Sequence, residues 1–194
     1  MKKYLKILIL FLIGSFIFTQ ECPPADTLSI TPLQDLWAIP TYNQWEQIEI
    51  MTWNIKDFPI NDNTINHVNE IILDIQPDII AFQEINNGTV FNNLANNIPA
   101  YEFISSGTGL ALATRIDVID VISWSTLFPN SGYDFAWRYP LLVELNWSCG
   151  INGKTFQIIN IHLKSGSSNE DFNRRYDSCE LLSEYVNENP SMNF

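Results

Sequence analysis

The sequence predicts one α/β domain of mixed β-sheets with helices packed outside them. Three observations point there. Short apolar runs that read as strands outnumber helical stripes, and several follow one another closely enough to form hairpins. The 194-residue chain is long enough for one domain with a real core and too short for two ordinary ones. Its 46% hydrophobic and 13% aromatic content excludes a disordered acidic tail, and the lack of repeats and heptads excludes a fibrous rod.

Lys2, Lys3 and Lys6 precede an apolar run from Ile7 to Phe18. A basic segment followed by a short apolar core is the pattern of a secretory signal, and this run is too short to span a bilayer comfortably. Residues 1–20 are therefore expected to direct export, giving a secreted or periplasmic protein with no stable membrane association after cleavage. Cys22 follows Phe18, Thr19, Gln20 and Glu21 rather than the small residues that precede a lipid-modified cysteine, so lipid anchoring is not expected. Residues 21–46 are rich in Pro and Thr without a sustained period and read as a leader.

The domain proper is expected over 47–194. Ile48 to Asn54 is a short apolar strand. Apolar residues at 65, 68, 71, 72 and 75 form a helical stripe that Pro77 stops. Asp78 to Gln83 follows as a buried strand, and Val90 to Ile98 as a short helix. Tyr101 to Ser105, Leu110 to Thr114 and Val118 to Trp124 read as successive strands. Leu141 to Trp147 and Thr155 to Leu163 are two more, joined by a turn from Cys149 to Gly153. Glu170 to Asn187 is a helix that ends before Pro190.

The formal net charge is −12, so a broad basic face for nucleic acid is excluded, and any phosphate must be handled locally by a metal ion or a few placed bases. Of the basic residues beyond the export signal, Lys56, Arg138, Lys164, Arg174 and Arg175 fall in or beside the segments that could carry chemistry. The Arg174-Arg175 pair also fits a solvated helix face. Export places the three cysteines in an oxidising compartment, where one pair and one odd thiol is the simplest arrangement; Cys149–Cys179 is the expected disulfide.

Four segments are candidates. Asn54 ends a strand, where it can orient a water or a phosphate oxygen or simply close a turn. Glu84 follows an all-apolar strand; a carboxylate at the C-terminal end of a sheet strand suits Mg²⁺, and a surface Glu opening a loop would look the same. His162 ends the most hydrophobic strand and is the clearest acid/base candidate, because His67 is expected on an exposed helix face. Neither histidine has zinc-type neighbours in sequence. Arg138, just before a strand and fixed by Pro140, offers a bidentate fork to a phosphate.

Taken in order, Met51-Thr-Trp-Asn-Ile55, Pro77-Asp-Ile-Ile-Ala-Phe-Gln-Glu84, Gly109-Leu-Ala-Leu-Ala-Thr-Arg115, Arg138-Tyr-Pro140 and Asn160-Ile-His-Leu163 resemble the endonuclease/exonuclease/phosphatase superfamily, the deoxyribonuclease I-like proteins. The resemblance covers roughly residues 47 to 187. It implies a four-layer α/β/β/α sandwich and metal-dependent hydrolysis of a phosphodiester, first of all a nuclease acting on DNA or RNA. It implies Mg²⁺, with Mn²⁺ or Ca²⁺ as alternatives, at Glu84 with Asn54. It gives His162, Asn54 and Glu84 as the catalytic set and Arg138, Asn160 and Lys164 as phosphate contacts.

The pattern departs from the family after His162. The Gly-Asp-x-Asn and Ser-Asp-His motifs that carry the family's general base and second histidine do not occur, so the second half of the sandwich is expected to be incomplete and the chain to lack turnover alone. Asp171-Phe-Asn173 imitates Asp-x-Asn but follows a Ser-rich loop rather than an apolar strand. Thr108 stands where nucleases place a His-orienting Glu. A phosphatase, a sphingomyelinase-like phosphodiesterase and a secreted non-catalytic binding module stay open as alternatives. No protein partner is indicated.

Overall fold

The computed structural model describes residues 47–148 and 153–194. The expected export signal, the leader, Cys22 and Cys149 lie outside the described residues, and with Cys149 so does the expected disulfide; Cys179 is exposed. The element order is β1 (Ile50–Phe58), α1 (Asp62–Ile75), β2 (Ile79–Ile85), α2 (Gly88–Asn92), β3 (Tyr101–Ser105), β4 (Leu110–Arg115), β5 (Ile119–Thr126), β6 (Leu141–Trp147), β7 (Lys154–Asn160) and α3 (Asn169–Glu188).

Two sheets form. The first has the order β1-β2-β4-β3 and the second β5-β6-β7. Strand β1 runs parallel to β2, and every other pairing is antiparallel. The all-apolar texture of β2 and β4 has a direct cause: both faces are covered. On one face, Ile80, Phe82, Ala111 and Ala113 pack with Val68 and Ile72 of α1 and with Phe91 of α2. On the other, Ile79, Ala81, Leu110 and Leu112 meet Leu141, Val143 and Leu145 of the second sheet. The core therefore has two slabs, one under the helices and one between the sheets. On β5, Ile122 and Trp124 stay exposed.

Local signals set the element ends. Asn61 accepts hydrogen bonds from the backbone of Asn63 and Thr64, while Thr64 Oγ1 accepts from Asn61 N, a reciprocal cap that starts α1. Gln76, in the left-handed region, ends it one residue before Pro77. The helix expected over Val90 to Ile98 begins earlier, because the Asn87 side chain caps Val90 N, and it tightens into a 3-10 turn over Asn93–Asn96. His67, expected to be exposed, is half-buried on α1.

At the end of β1 the pairing with β2 shifts register between Asn54 and Phe58, with Lys56 and Asp57 at positive φ. Helix α3 is capped by Ser168 and Asp171 and rests on the segment between β5 and β6. Tyr185 sits edge-on to Phe128, which stacks on buried Phe135. At the other end of β2, the buried Asp78 carboxylate accepts from Glu49 N at 3.0 Å and lies 3.5 Å from Arg115. Burial, reinforced by a hydrogen bond with the Glu49 side chain, pushes Asp78 up to about 7, against the pull of Arg115.

Candidate active site

The C-terminal ends of β1 and β2, the exit of β7 and the turn before β6 converge on one carboxylate. Glu84, at φ +66, presents its side chain where β2 leaves the sheet. Asn54 Nδ2 donates to Glu84 Oε1 at 2.8 Å. The bulge after Asn54 makes this possible: Asn54 is in register with Gln83, and its Oδ1 accepts Lys56 N at 3.0 Å, which aims the amide nitrogen at Glu84. His162 Nε2 lies 3.8 Å from the same Glu84 oxygen.

Arg138 completes the cluster. Its Nη1 lies 2.9 Å from His162 Nδ1 and 3.1 Å from Nε2, and its Nη2 donates to the Leu163 carbonyl at 3.2 Å. Arginine only donates, so the imidazole accepts and is neutral at that nitrogen. Burial first, and then the Arg138 charge, hold His162 below the usual histidine value, with Glu84 pulling the other way. Burial also lowers Arg138, Glu84 opposes it and the charge of Arg174 adds to it. The charges of Glu84 and Arg174 thus act on Arg138 in opposite directions.

The arrangement can hold an anion between the guanidinium and a cation seated at Glu84. For the cation, the donor set is one half-exposed carboxylate with an amide beside it, and no group of three His, Cys, Asp or Glu side chains occurs among the described residues. That fits a hard ion that takes one or two carboxylates and completes its shell with water and phosphate.

The sequence matches no protein-family model and no curated protein. Solved structures do match. The D. rerio TDP2 complex with a single-strand DNA product aligns over 73% of this chain and 55% of that chain, with a TM-score of 0.59 at 16% identity. The catalytic domain of human Nocturnin with bound sulfate aligns over 74% and 59%, with a TM-score of 0.55 at 20% identity. An AP endonuclease from Archaeoglobus fulgidus aligns over 73% and 52%, with a TM-score of 0.54 at 18% identity. The chain has the deoxyribonuclease I-like fold. It spans between 52% and 59% of the length of these three structures.

Within this deoxyribonuclease I-like frame, four expected residues come together: Asn54, Glu84, Arg138 and His162. Two do not. Asn160, expected at the phosphate, is buried between the sheets; its Nδ2 donates to the carbonyls of Phe82 at 2.8 Å and Ala111 at 2.9 Å, and its Oδ1 accepts from Gln83 Nε2 at 2.9 Å. The strand ends at Asn160, so His162 belongs to the exit loop rather than to β7. Lys164 pairs with Asp171 at 3.0 Å and donates to the Ser165 carbonyl, which turns it toward the start of α3. Asp171, lowered to about 2 by Ser168 and then Lys164, caps α3 and mimics a site motif in sequence only.

The sequence assigns no role to Gln83, and it places Arg174 beside the candidate segments without saying what it holds. Arg174 donates to the Tyr133 carbonyl at 2.8 Å and stacks over the Tyr133 ring at 4.3 Å, which fastens α3 to the turn carrying Arg138. Gln83 ties the site strand to β7. Gln83 carries a positional signal, as the immediate neighbour of Glu84; the Arg174-Arg175 pair reads equally well as a solvated helix face.

Proposed function

We propose that this chain is an exported, metal-dependent phosphodiesterase domain that acts on nucleic acid, with Mg²⁺ as its ion. The carrying observation is the shared Glu84 oxygen, 2.8 Å from Asn54 and 3.8 Å from His162, with Arg138 bonded to that histidine. Glu84 would hold the ion; Asn54, expected beside it as a ligand, gives its amide nitrogen to Glu84 and its oxygen to Lys56 N and so positions the carboxylate. When bound, a divalent ion neutralises phosphoryl oxygens as a Lewis acid. Arg138 offers its fork to the same phosphate, which explains how a chain of net charge −12 takes an anionic substrate. Neutral His162 can pass a proton to or from a phosphate oxygen once Arg138 is drawn onto the substrate. The fold's solved relatives include a protein complexed with a DNA product, which favours nucleic acid over a lipid phosphodiester.

Because the chain is expected to lack turnover alone, the test reads binding of fluorescein-labelled DNA and RNA oligonucleotides, with Mg²⁺ and with EDTA, by the wild-type chain and by Glu84→Gln. Mg²⁺-dependent binding that Glu84→Gln abolishes supports the proposal. Absence of binding, or binding that neither EDTA nor Glu84→Gln changes, overturns it.

A further inference from the structure

Beside Arg138 stands a side chain that the phosphate chemistry does not use. Trp137 is 67% exposed. Exposure of one aromatic is ordinary. Its backbone is not: Ala136 and Trp137 both take positive φ, at 53° and 61°, a region that bulky residues avoid. The turn holds this conformation through several bonds. Trp137 N donates to Gly132 O at 2.6 Å, Ala136 N to Tyr133 O at 3.1 Å and Arg138 N to the carbonyl of buried Phe135 at 3.0 Å. Gly132 makes the space, because a Cβ there would fall 2.5 Å from the indole ring and 2.8 Å from the Tyr139 hydroxyl. The indole therefore lies against the Gly132 backbone, with the rest of the ring open to solvent. The other exposed aromatic of this turn, Tyr133, is already covered by the Arg174 guanidinium. Strain that presents an indole to water, one residue from the phosphate-facing arginine, calls for a ligand with a flat apolar face.

We infer that Trp137 is a stacking platform for the nucleobase next to the phosphate held by Arg138 and His162. The ligand class is single-stranded or frayed nucleic acid, since a base inside a duplex has no free face to offer. This inference rests on the nuclease reading above and adds the feature of the substrate that the phosphate cluster does not read.

The test compares a fluorescein-labelled thymidine decamer with an all-abasic decamer of equal length and charge, by fluorescence anisotropy with Mg²⁺ present, where the chain alone is expected not to cut. Wild type is expected to bind the base-bearing strand about 10- to 100-fold more tightly. Trp137→Ala brings that ratio close to one without weakening the abasic strand, and Trp137→Phe keeps most of it. Gly132→Ala, which displaces the indole without removing it, lowers the ratio as well, and thermal melting by circular dichroism verifies that each variant is folded. A folded Trp137→Ala that keeps the wild-type ratio overturns the platform while leaving the nuclease reading intact. A wild type that binds neither strand with Mg²⁺ present overturns both.

Discussion

The side-chain amide of Asn160, the last residue of β7, donates to the main-chain carbonyl of Phe82 in β2 at 2.8 Å, across the gap between the two sheets. A second bond from the same nitrogen reaches Ala111, the register partner of Phe82 on β4. One amide thus closes a rung of the first sheet from the second. Gln83, bonded to Asn160 Oδ1 and to Thr52, extends the seam to β1. The two sheets are registered by polar contacts at the end where the site lies and by Leu, Ile and Val elsewhere.

Asn160→Ala removes three buried hydrogen bonds and leaves two carbonyls and the Gln83 amide without their partner. The expected loss is about 3 kcal/mol of unfolding free energy, since a buried group left unsatisfied costs about 1–3 kcal/mol. Asn160→Asp fares no better, because a carboxylate has no N–H for the two carbonyls. Urea denaturation measures this, and a change within about 0.5 kcal/mol of wild type would contradict the seam.

Glu84→Gln keeps the side-chain shape and removes the charge. The Mg²⁺-dependent part of oligonucleotide binding is expected to be lost, because the carboxylate that would hold the ion is gone. The urea midpoint should hardly move, because Glu84 lies outside both core clusters. Chelation of the metal should reproduce the loss in wild type and add little to the variant.

His162 is held below its ordinary value, so the folded state prefers neutral imidazole. This contribution to stability is complete above the unfolded value of about 6.5 and is lost as pH falls through the folded value. Arg138→Ala removes a neighbouring cation and should raise the titration midpoint of His162; Glu84→Gln should lower it. Proton NMR of the imidazole ring reads the shift, and only His67 competes for assignment. A midpoint indifferent to both substitutions would dissolve the cluster.

Asp78 has the opposite sign. Its folded value is raised from 3.8 to about 7, so its contribution is complete below pH 3.8 and is lost as pH rises through about 7. Denaturation midpoints taken from pH 5.5 to 8.5 should show a decline that Asp78→Asn flattens. Arg115 keeps Asp117 at 2.8 Å in that variant, so the fold is expected to persist.

Much of this molecule is legible in sequence, for identifiable reasons. Buried β2 and β4 read as strands because both their faces are apolar, and α1 reads as a helix because Val68 and Ile72 recur on one side. Asn54 and Glu84 were placed by their positions at strand ends, where the pairing of β1 with β2 brings them into contact. What escaped was decided by tertiary contact. No pattern separates an asparagine that faces a phosphate from one that joins two sheets, so Asn160 was misplaced. Lys164 was captured by Asp171, a partner seven residues away that only the turn into α3 brings near. The positive φ values at Lys56, Asp57, Ala136 and Trp137 fall on residues that never announce them, since none of these four is a glycine.

Gln83 immediately precedes Glu84, and Asn160 stands two residues before His162. In a library of random variants, all four positions would therefore score as intolerant, and the short segments around them would look like two uninterrupted catalytic motifs. The causes differ. At 83 and 160 the defect is one of yield: fewer molecules reach the native state, and substrate binding divided by the amount of folded protein returns toward the parental value. At 84 and 162 that division changes nothing.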